Sequence, residues 1–261
     1  MESSEQRFLH EIRSTYADLE RWRVRASSVE EPERGSELAV DDHVFPRHRI
    51  SSVAWLSLAL AGEHLRLARD AIEAQQLYPS AHFSVLRSAL VGAAQGVWIL
   101  GPDHGAQRQE RGLIVLAEMH EQMRKYYNRL SDFALSDQER TELVAQQEWL
   151  AQRVEEVARA RTGRQKLELT TTVIPEALDL VFPDSERRQQ GRALWYEMSG
   201  DAHVLGWSTI PRGSVIAADR LSGLATHVVG GSLDQISQPF IASYKMLRVG
   251  WSLYDRRCEG R

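Results

Sequence analysis

The chain contains almost no cysteine. Cys258 is the only one in 261 residues. A single thiol forms no internal disulfide and supplies too few ligands for a thiolate zinc site, so both are excluded. We therefore expect a protein that folds by packing alone in a reducing compartment, the cytoplasm.

Long apolar runs are also lacking. The longest uncharged stretch covers residues 88–102, which is shorter than the roughly 20 residues that span a bilayer. The segment that starts at Met1 is polar and has none of the apolar centre of a signal peptide. We expect a soluble protein with no membrane partner, in which residues 88–102 belong to a buried core helix.

The chain has no large excess of positive or of negative side chains. The formal net charge is -4 and the isoelectric point is near 6.2. A protein without a global positive field lacks the main attraction for a phosphate backbone, so nucleic acid is not an expected partner.

Familiar catalytic motifs are missing. The sequence has no glycine-rich phosphate loop of either common type and no nucleophile elbow, and neither His10 nor His120 begins a complete H-E-x-x-H pattern. Nor does an E-x-x-H pair repeat as in di-metal helical bundles. We expect no cofactor and no metal, and we interpret the nine histidines mainly as core and surface residues. A metal site built from His82, His120 and His203 is the alternative.

The spacing of apolar residues along the sequence is mainly that of α-helices. Apolar residues recur at spacings of three and four, most regularly along residues 105–130, where Leu113, Leu116, His120 and Met123 share one face. The pattern predicts an all-α protein: a bundle of about seven to nine long antiparallel helices forming a single domain over residues 1–261. Residues 28–49 are expected to be an exposed connection or flap. Helices are also expected over 214–229 and 236–254, and Ser3 and Gln6 have capping-box spacing.

One arginine lies inside the most apolar predicted helix. A buried Arg87 needs a carboxylate or several carbonyls, so we expect it to tether two helices. The alternative is an anion site that Arg108 or Arg111 completes.

A second cluster follows Trp195. Ser199, Asp201 and His203 gather a hydroxyl, a carboxylate and an imidazole where a helix ends. Residues so close in sequence seldom reach the geometry of a catalytic triad. We therefore interpret the segment as a helix end near Gly200. Nucleophilic catalysis by Ser199 and His203 is the alternative. We expect His203 to lie close to the helices that carry Arg87, Arg108 and Arg111.

Two segments carry a family resemblance: Leu86 to Leu90 continuing through Trp98 and Pro102 to Arg108 and Arg111, and Trp195-Tyr196 followed by Ser199, Gly200, Ala202, His203 and Trp207. Together they resemble uncharacterised helical proteins of high-GC bacteria and their phages, over roughly residues 80–210. The resemblance implies an all-α, distantly HEPN-like fold with no assigned activity. Arg87, Arg108, Arg111, Tyr196 and Trp207 are the candidate binding residues. The chain departs from the family at Val91, where the family tends to have glutamate, and at Val204, where it tends to have glycine.

A further pair, Arg220 and His227, resembles the R-x4-6-H signature of HEPN-type ribonucleases. That resemblance implies metal-independent RNA cleavage in the cleft of a dimer. The apolar residues around the pair, however, predict a helix packed into the core, where a histidine stays neutral and is a poor general acid.

These observations favour a non-enzymatic helical interaction protein that is encoded by a phage or mobile element and acts on a host protein. A second copy of the chain, in a homodimer, is the other partner we consider. Seven tryptophans supply anchors for such an interface. The alternatives are the ribonuclease and a helical regulator that binds an anionic ligand through Arg87.

Overall fold

The computed structural model describes residues 4–223 and 225–260. Ser3, from the capping-box spacing, lies outside the described residues. So does Leu224, from the helix predicted over 214–229. Ten α-helices occur in the described residues: α1 (Ser4–Arg13), α2 (Tyr16–Arg25), α3 (Glu37–Asp41), α4 (Ile50–Glu73), α5 (Ala81–Leu100), α6 (Gly105–Leu130), α7 (Asp137–Ala160), α8 (Ile174–Val181), α9 (Ser185–Ala202) and α10 (Leu233–Cys258). Because 73% of the protein is helical, the all-α prediction is confirmed, with a helix count slightly above the expected seven to nine.

Helix α5 is the centre of the core. It packs against α4 and α10, which also contact each other. It is long and apolar enough to cross a membrane by length and composition, and 61% of its most apolar window is buried inside the protein. This burial supports the interpretation of residues 88–102 as part of a core helix.

Two glycines let α5 and α10 close around one leucine of α4. A Cβ atom on Gly96 would lie 2.5 Å from Cδ2 of Leu58, and one on Gly250 would lie 2.4 Å from the same atom. Both distances are far below van der Waals contact, so only glycine at both positions leaves room for Leu58, which is completely buried.

The helix boundaries follow the capping chemistry. Ser136 accepts a hydrogen bond from the backbone N–H of Glu139, whose carboxylate reaches back to the N–H of Ser136, so α7 begins with a complete capping box. Asp184 caps α9 by accepting from the N–H of Glu186.

Residues 28–49 are more than an exposed flap. They contain α3 and a 3-10 turn (Asp42–Val44), and Leu38, Asp41 and Phe45 are buried. The segment packs because Asp41 takes part in a buried ion pair and Asp42 accepts hydrogen bonds from the backbone and side chain of Ser51.

The helix predicted over 214–229 is wrong. Strands β1 (Ser214–Ala218) and β2 (Ala225–Val228) form an antiparallel hairpin, the only sheet in the described part of the chain. Every residue of β1 is exposed. Asp219 accepts hydrogen bonds from the backbone N–H groups of Leu221 and Ser222, and Gly223 takes a positive φ of 70°, so turn chemistry overrides the apolar pattern here.

Candidate functional site: an exposed arm and an unpaired arginine

Arg87 of α5 and Ser199 of α9 are in contact. Nε of Arg87 donates to Oγ of Ser199 at 3.1 Å, and the guanidinium stacks on the ring of Trp195, 4.6 Å from its centroid. Arg87 is half-buried, and no carboxylate of the described residues lies within ion-pairing distance of it. The expected partners, a carboxylate or several carbonyls, are therefore wrong: Arg87 does join α5 to α9, but through a hydroxyl and an aromatic face.

Arg108 is a structural residue. Its Nε donates to Oδ2 of Asp41 at 2.6 Å, and its Nη1 donates to the carbonyls of Pro102 and Asp103. The side chain is 3% exposed and that of Asp41 1%, so the pair joins α3 to the start of α6 and leaves no room for a ligand.

Arg111 ties α6 to α8. Its Nη2 lies 2.5 Å from Oε2 of Glu176, and its Nη1 donates to the carbonyl of Trp98. Trp98 donates to the same carboxylate oxygen at 3.0 Å. Neither Arg108 nor Arg111 completes an anion site with Arg87.

His203 does not join these arginines. It is exposed, and its backbone N–H donates to the carbonyl of Ser199 at the end of α9. Among the described residues its side chain makes no hydrogen bond, ion pair or ring contact with Arg87, Arg108 or Arg111, so it forms no polar centre with them. Ser199 donates its own proton to the carbonyl of Trp195, so the structure aligns no imidazole with its hydroxyl.

The buried polar centre of this region is one that the sequence analysis missed. Nη2 of Arg212 lies 2.6 Å from Oδ2 of Asp201, and Nε lies 3.1 Å from Oε1 of Glu197. Nη1 donates to the carbonyl of Pro79, and the guanidinium lies 3.6 Å from the centroid of the Phe83 ring. Burial raises the pKa of Glu197, against the opposing effect of Arg212. The signal in the sequence is the spacing of Glu197 and Asp201: two like charges four residues apart on a helix need a cation facing them.

Arg212 also fixes the base of the hairpin. It ends the 3-10 segment Gly206–Arg212, two residues before the start of β1, and its carbonyl accepts from Nε2 of Gln235 in α10. At the other end, Gly231 lies so close to the carbonyl of Leu77 that a Cβ atom would be 1.9 Å from its oxygen. We call residues 204–229 the arm: both ends are attached to the helical body and the middle extends into solvent.

The arm exposes a series of apolar side chains. Leu221 is 99% exposed and Val204 91%, and the others are about half exposed: Leu205, Trp207, Ile210, Val215, Ile216 and Val228. Trp207 rests on α9 at Gly200, and Tyr196, also exposed, lies one turn earlier on that helix. Of the two candidate binding residues, Trp207 thus belongs to the arm and Tyr196 lies beside it.

Val204 stands where the resembling family tends to have glycine. Its φ is +56°, the left-handed region that a β-branched residue enters only under strain. The valine keeps an apolar side chain in solvent at a backbone position that favours glycine.

Arg220 and His227 are not on one helical face. Arg220 lies in the turn of the hairpin and His227 pairs with Val215 in β2, well back from that turn. No hydrogen bond or ion pair joins them among the described residues. Nor do the histidines of the metal alternative converge: His82 contacts Tyr78, His120 contacts His48, and the described residues contain no cluster of three metal-ligating side chains.

The chain matches no family model, no curated protein and no solved structure.

Proposed function

We propose that this protein is a non-enzymatic interaction protein that uses its arm to bind a partner protein. The observation that carries the proposal is the apolar, solvent-exposed hairpin held at both ends by a rigid helical body. Exposed apolar patches of this kind mark interaction sites in soluble proteins, and Trp207 and Tyr196 beside it are residue types that dominate interface energies.

The arm is suited to strand addition. A hairpin of two strands has two unpaired edges, which soluble proteins usually protect with charges or proline. Residues 213–218 contain neither. An extended segment of the partner would pair with one edge through main-chain hydrogen bonds, while Val215 and Ile216 supply apolar contacts. A two-stranded hairpin is only marginally stable by itself, so it gains stability from a third strand.

The strain at Val204 supports the same proposal. Strained backbone positions persist where function requires them, and a valine that is almost fully exposed stabilises nothing in the free protein. Within a complex the same side chain would be buried against the partner.

The test places a photo-crosslinking amino acid at Ile216 in living cells and, as a control, at Val24, which is 57% exposed on α2. We expect a specific adduct from Ile216 only, and its loss when Val215→Lys is added. Equal adducts from both positions, or none from Ile216, would contradict the proposal.

Light scattering of the purified protein then identifies the partner as a second copy or another chain. A dimer that Val215→Lys dissociates would make the partner a second copy. Three expectations stay predictions: the origin in a phage or mobile element, the cytoplasmic location and the ribonuclease alternative. The ribonuclease alternative is tested by incubating the purified protein with RNA in EDTA and comparing it with the Arg220→Ala/His227→Ala variant.

A further inference from the structure

Arg87 differs from four other arginines of the protein, and among the buried and half-buried arginines only Arg66 resembles it in having no ion pair within the described residues. Arg108, Arg111, Arg212 and Arg257 each contact at least one carboxylate. Arg87 has the Ser199 hydroxyl and the Trp195 ring, which together use Nε and one face of the guanidinium. Burial lowers the pKa of Arg87, and no carboxylate acts in the opposite direction. Its Nη1 and Nη2 atoms have no hydrogen-bond acceptor among the described residues and reach solvent, so the half-buried positive charge has no counter-charge within the described residues.

Arg87 also lines a groove between α4 and α5. The groove has a volume of about 330 Å³, at the lower end of the range for small-molecule sites. Its walls are mainly aliphatic, with contributions from Leu56, Leu60, Val91 and Met119. Leu60 is 46% exposed, so apolar surface lies open to solvent directly beside the unpaired charge.

The two helices run antiparallel along the groove. Gly92 of α5 lies against Ser57 and Ala61 of α4, and Gly96 lies against Leu58. Arg87 and His64 therefore line one end, and Gln95, which donates to Ser57 at 2.8 Å, lines the other. From Arg87 to Gln95 the helix rises about 12 Å, so the groove has a cationic end, an aliphatic middle and a polar far end.

We propose that this groove binds a monocarboxylate with an unbranched aliphatic tail, the carboxylate on Arg87 and the tail along Leu60, Val91 and Leu56. This site is separate from the arm and does not depend on the function proposed for it.

Each part of the ligand follows from the groove. The two free nitrogens of a guanidinium form a fork that matches a carboxylate, and one permanent positive charge balances one negative charge. The middle of the groove offers no aromatic ring for stacking, and a flexible aliphatic chain suits a narrow channel between two helices. A carboxylate on Arg87 would replace the lost hydration of the cation, which the protein leaves without a counter-charge.

Calorimetric titration of the full chain with octanoate tests the proposal, with 1-octanol, acetate and inorganic phosphate as matched probes. We expect octanoate to bind and the other three probes to bind at least about tenfold more weakly. 1-Octanol lacks the charge, acetate lacks the tail, and phosphate lacks both the tail and the single charge. Trp195 fluorescence should change with the same midpoint, since its ring lies under the guanidinium. Octanol or phosphate binding as tightly as octanoate, or no octanoate binding at millimolar concentration, would overturn the proposal.

Variants locate the site. Arg87→Gln should weaken octanoate binding about tenfold or more. Leu60→Glu, at an exposed position on the opposite wall, should abolish it by repelling the carboxylate while the fold is kept. Arg220→Gln removes an exposed arginine on the arm and should leave the affinity unchanged. If Arg87→Gln does not fold, Leu60→Glu still decides: unchanged octanoate binding in either variant would refute the site.

Discussion

Arg212 and Asp201 form a buried ion pair, with Nη2 and Oδ2 2.6 Å apart and the two side chains 5% and 0% exposed. The pair joins the last turn of α9 to the part of the arm that leads into β1. Oδ1 of Asp201 has no hydrogen-bond partner, so the carboxylate depends on Arg212 alone for compensation of its charge.

Replacing Asp201 with alanine should lower the free energy of unfolding by about 3–5 kcal/mol, since Arg212 then keeps a buried charge with only Glu197 beside it. Urea unfolding measures the change. Asp132→Ala, on an exposed turn, should change stability by less than about 0.5 kcal/mol. Proteolysis of the arm should also become faster in Asp201→Ala only; equal cleavage in both variants would mean that the pair does not fix the arm.

Arg108 and Arg87 should differ sharply in their effect on stability. Arg108→Ala leaves Asp41 as an uncompensated buried carboxylate and should cost about 3–5 kcal/mol. Arg87→Ala removes one hydrogen bond and one cation–π contact and should cost about 1–2 kcal/mol. Urea unfolding of both variants under the same conditions compares them. A larger loss for Arg87→Ala than for Arg108→Ala would contradict the assignment of Arg108 as the tether.

The stability of the fold should fall as the pH decreases below neutrality. Burial, with the nearby His48 and Arg153, lowers the pKa of His120 from its usual 6.5, and burial also lowers that of His48. The unfolded chain therefore binds more protons than the folded one, so the contribution of these groups is complete above pH 6.5 and is lost as the pH falls toward their folded-state pKa values. Thermal unfolding at pH 7.5 and 5.5 measures this loss. It should be smaller in His120→Leu and unchanged in His10→Gln, which alters an exposed histidine; an unchanged loss in His120→Leu would be the contrary result.

Val204→Gly should stabilise the free protein by about 1 kcal/mol, because glycine adopts the positive φ without strain. Leu205→Gly, at an ordinary φ of -90°, should destabilise it by a similar amount. Chemical unfolding of both variants provides the measurement. Destabilisation by Val204→Gly would show that its side chain contributes to the free fold.

Most of the helical core was predictable because its signals are local. The boundaries of α6 agree with the prediction over 105–130, and α7 and α9 begin at side-chain caps, Ser136 and Asp184, that lie next to them in the sequence. The hairpin was not predictable from apolar spacing, since Leu221, Ala225, Val228 and Val229 also fit a helical stripe. Asp219 and Gly223, the residues that make its turn, were the signal that outweighs it.

The environments of the arginines depend on tertiary placement. Arg87, Arg108 and Arg111 lie on adjacent helices and look equivalent in the sequence, yet one faces a hydroxyl and the other two face carboxylates. Those carboxylates, Asp41 and Glu176, come from segments whose positions no local pattern specifies. Arg212 was missed for the same reason, because the turn after α9 is what brings it back onto Asp201.

Leu58 between Gly96 and Gly250 has a consequence for how this sequence can diverge. A methyl group at either glycine would occupy space that the side chain of Leu58 now fills. None of the three positions can therefore change independently of the others. A chain with alanine at position 96 or 250 should carry a smaller residue at position 58. The three positions, from three different helices, should therefore vary together among homologues while their neighbours drift independently.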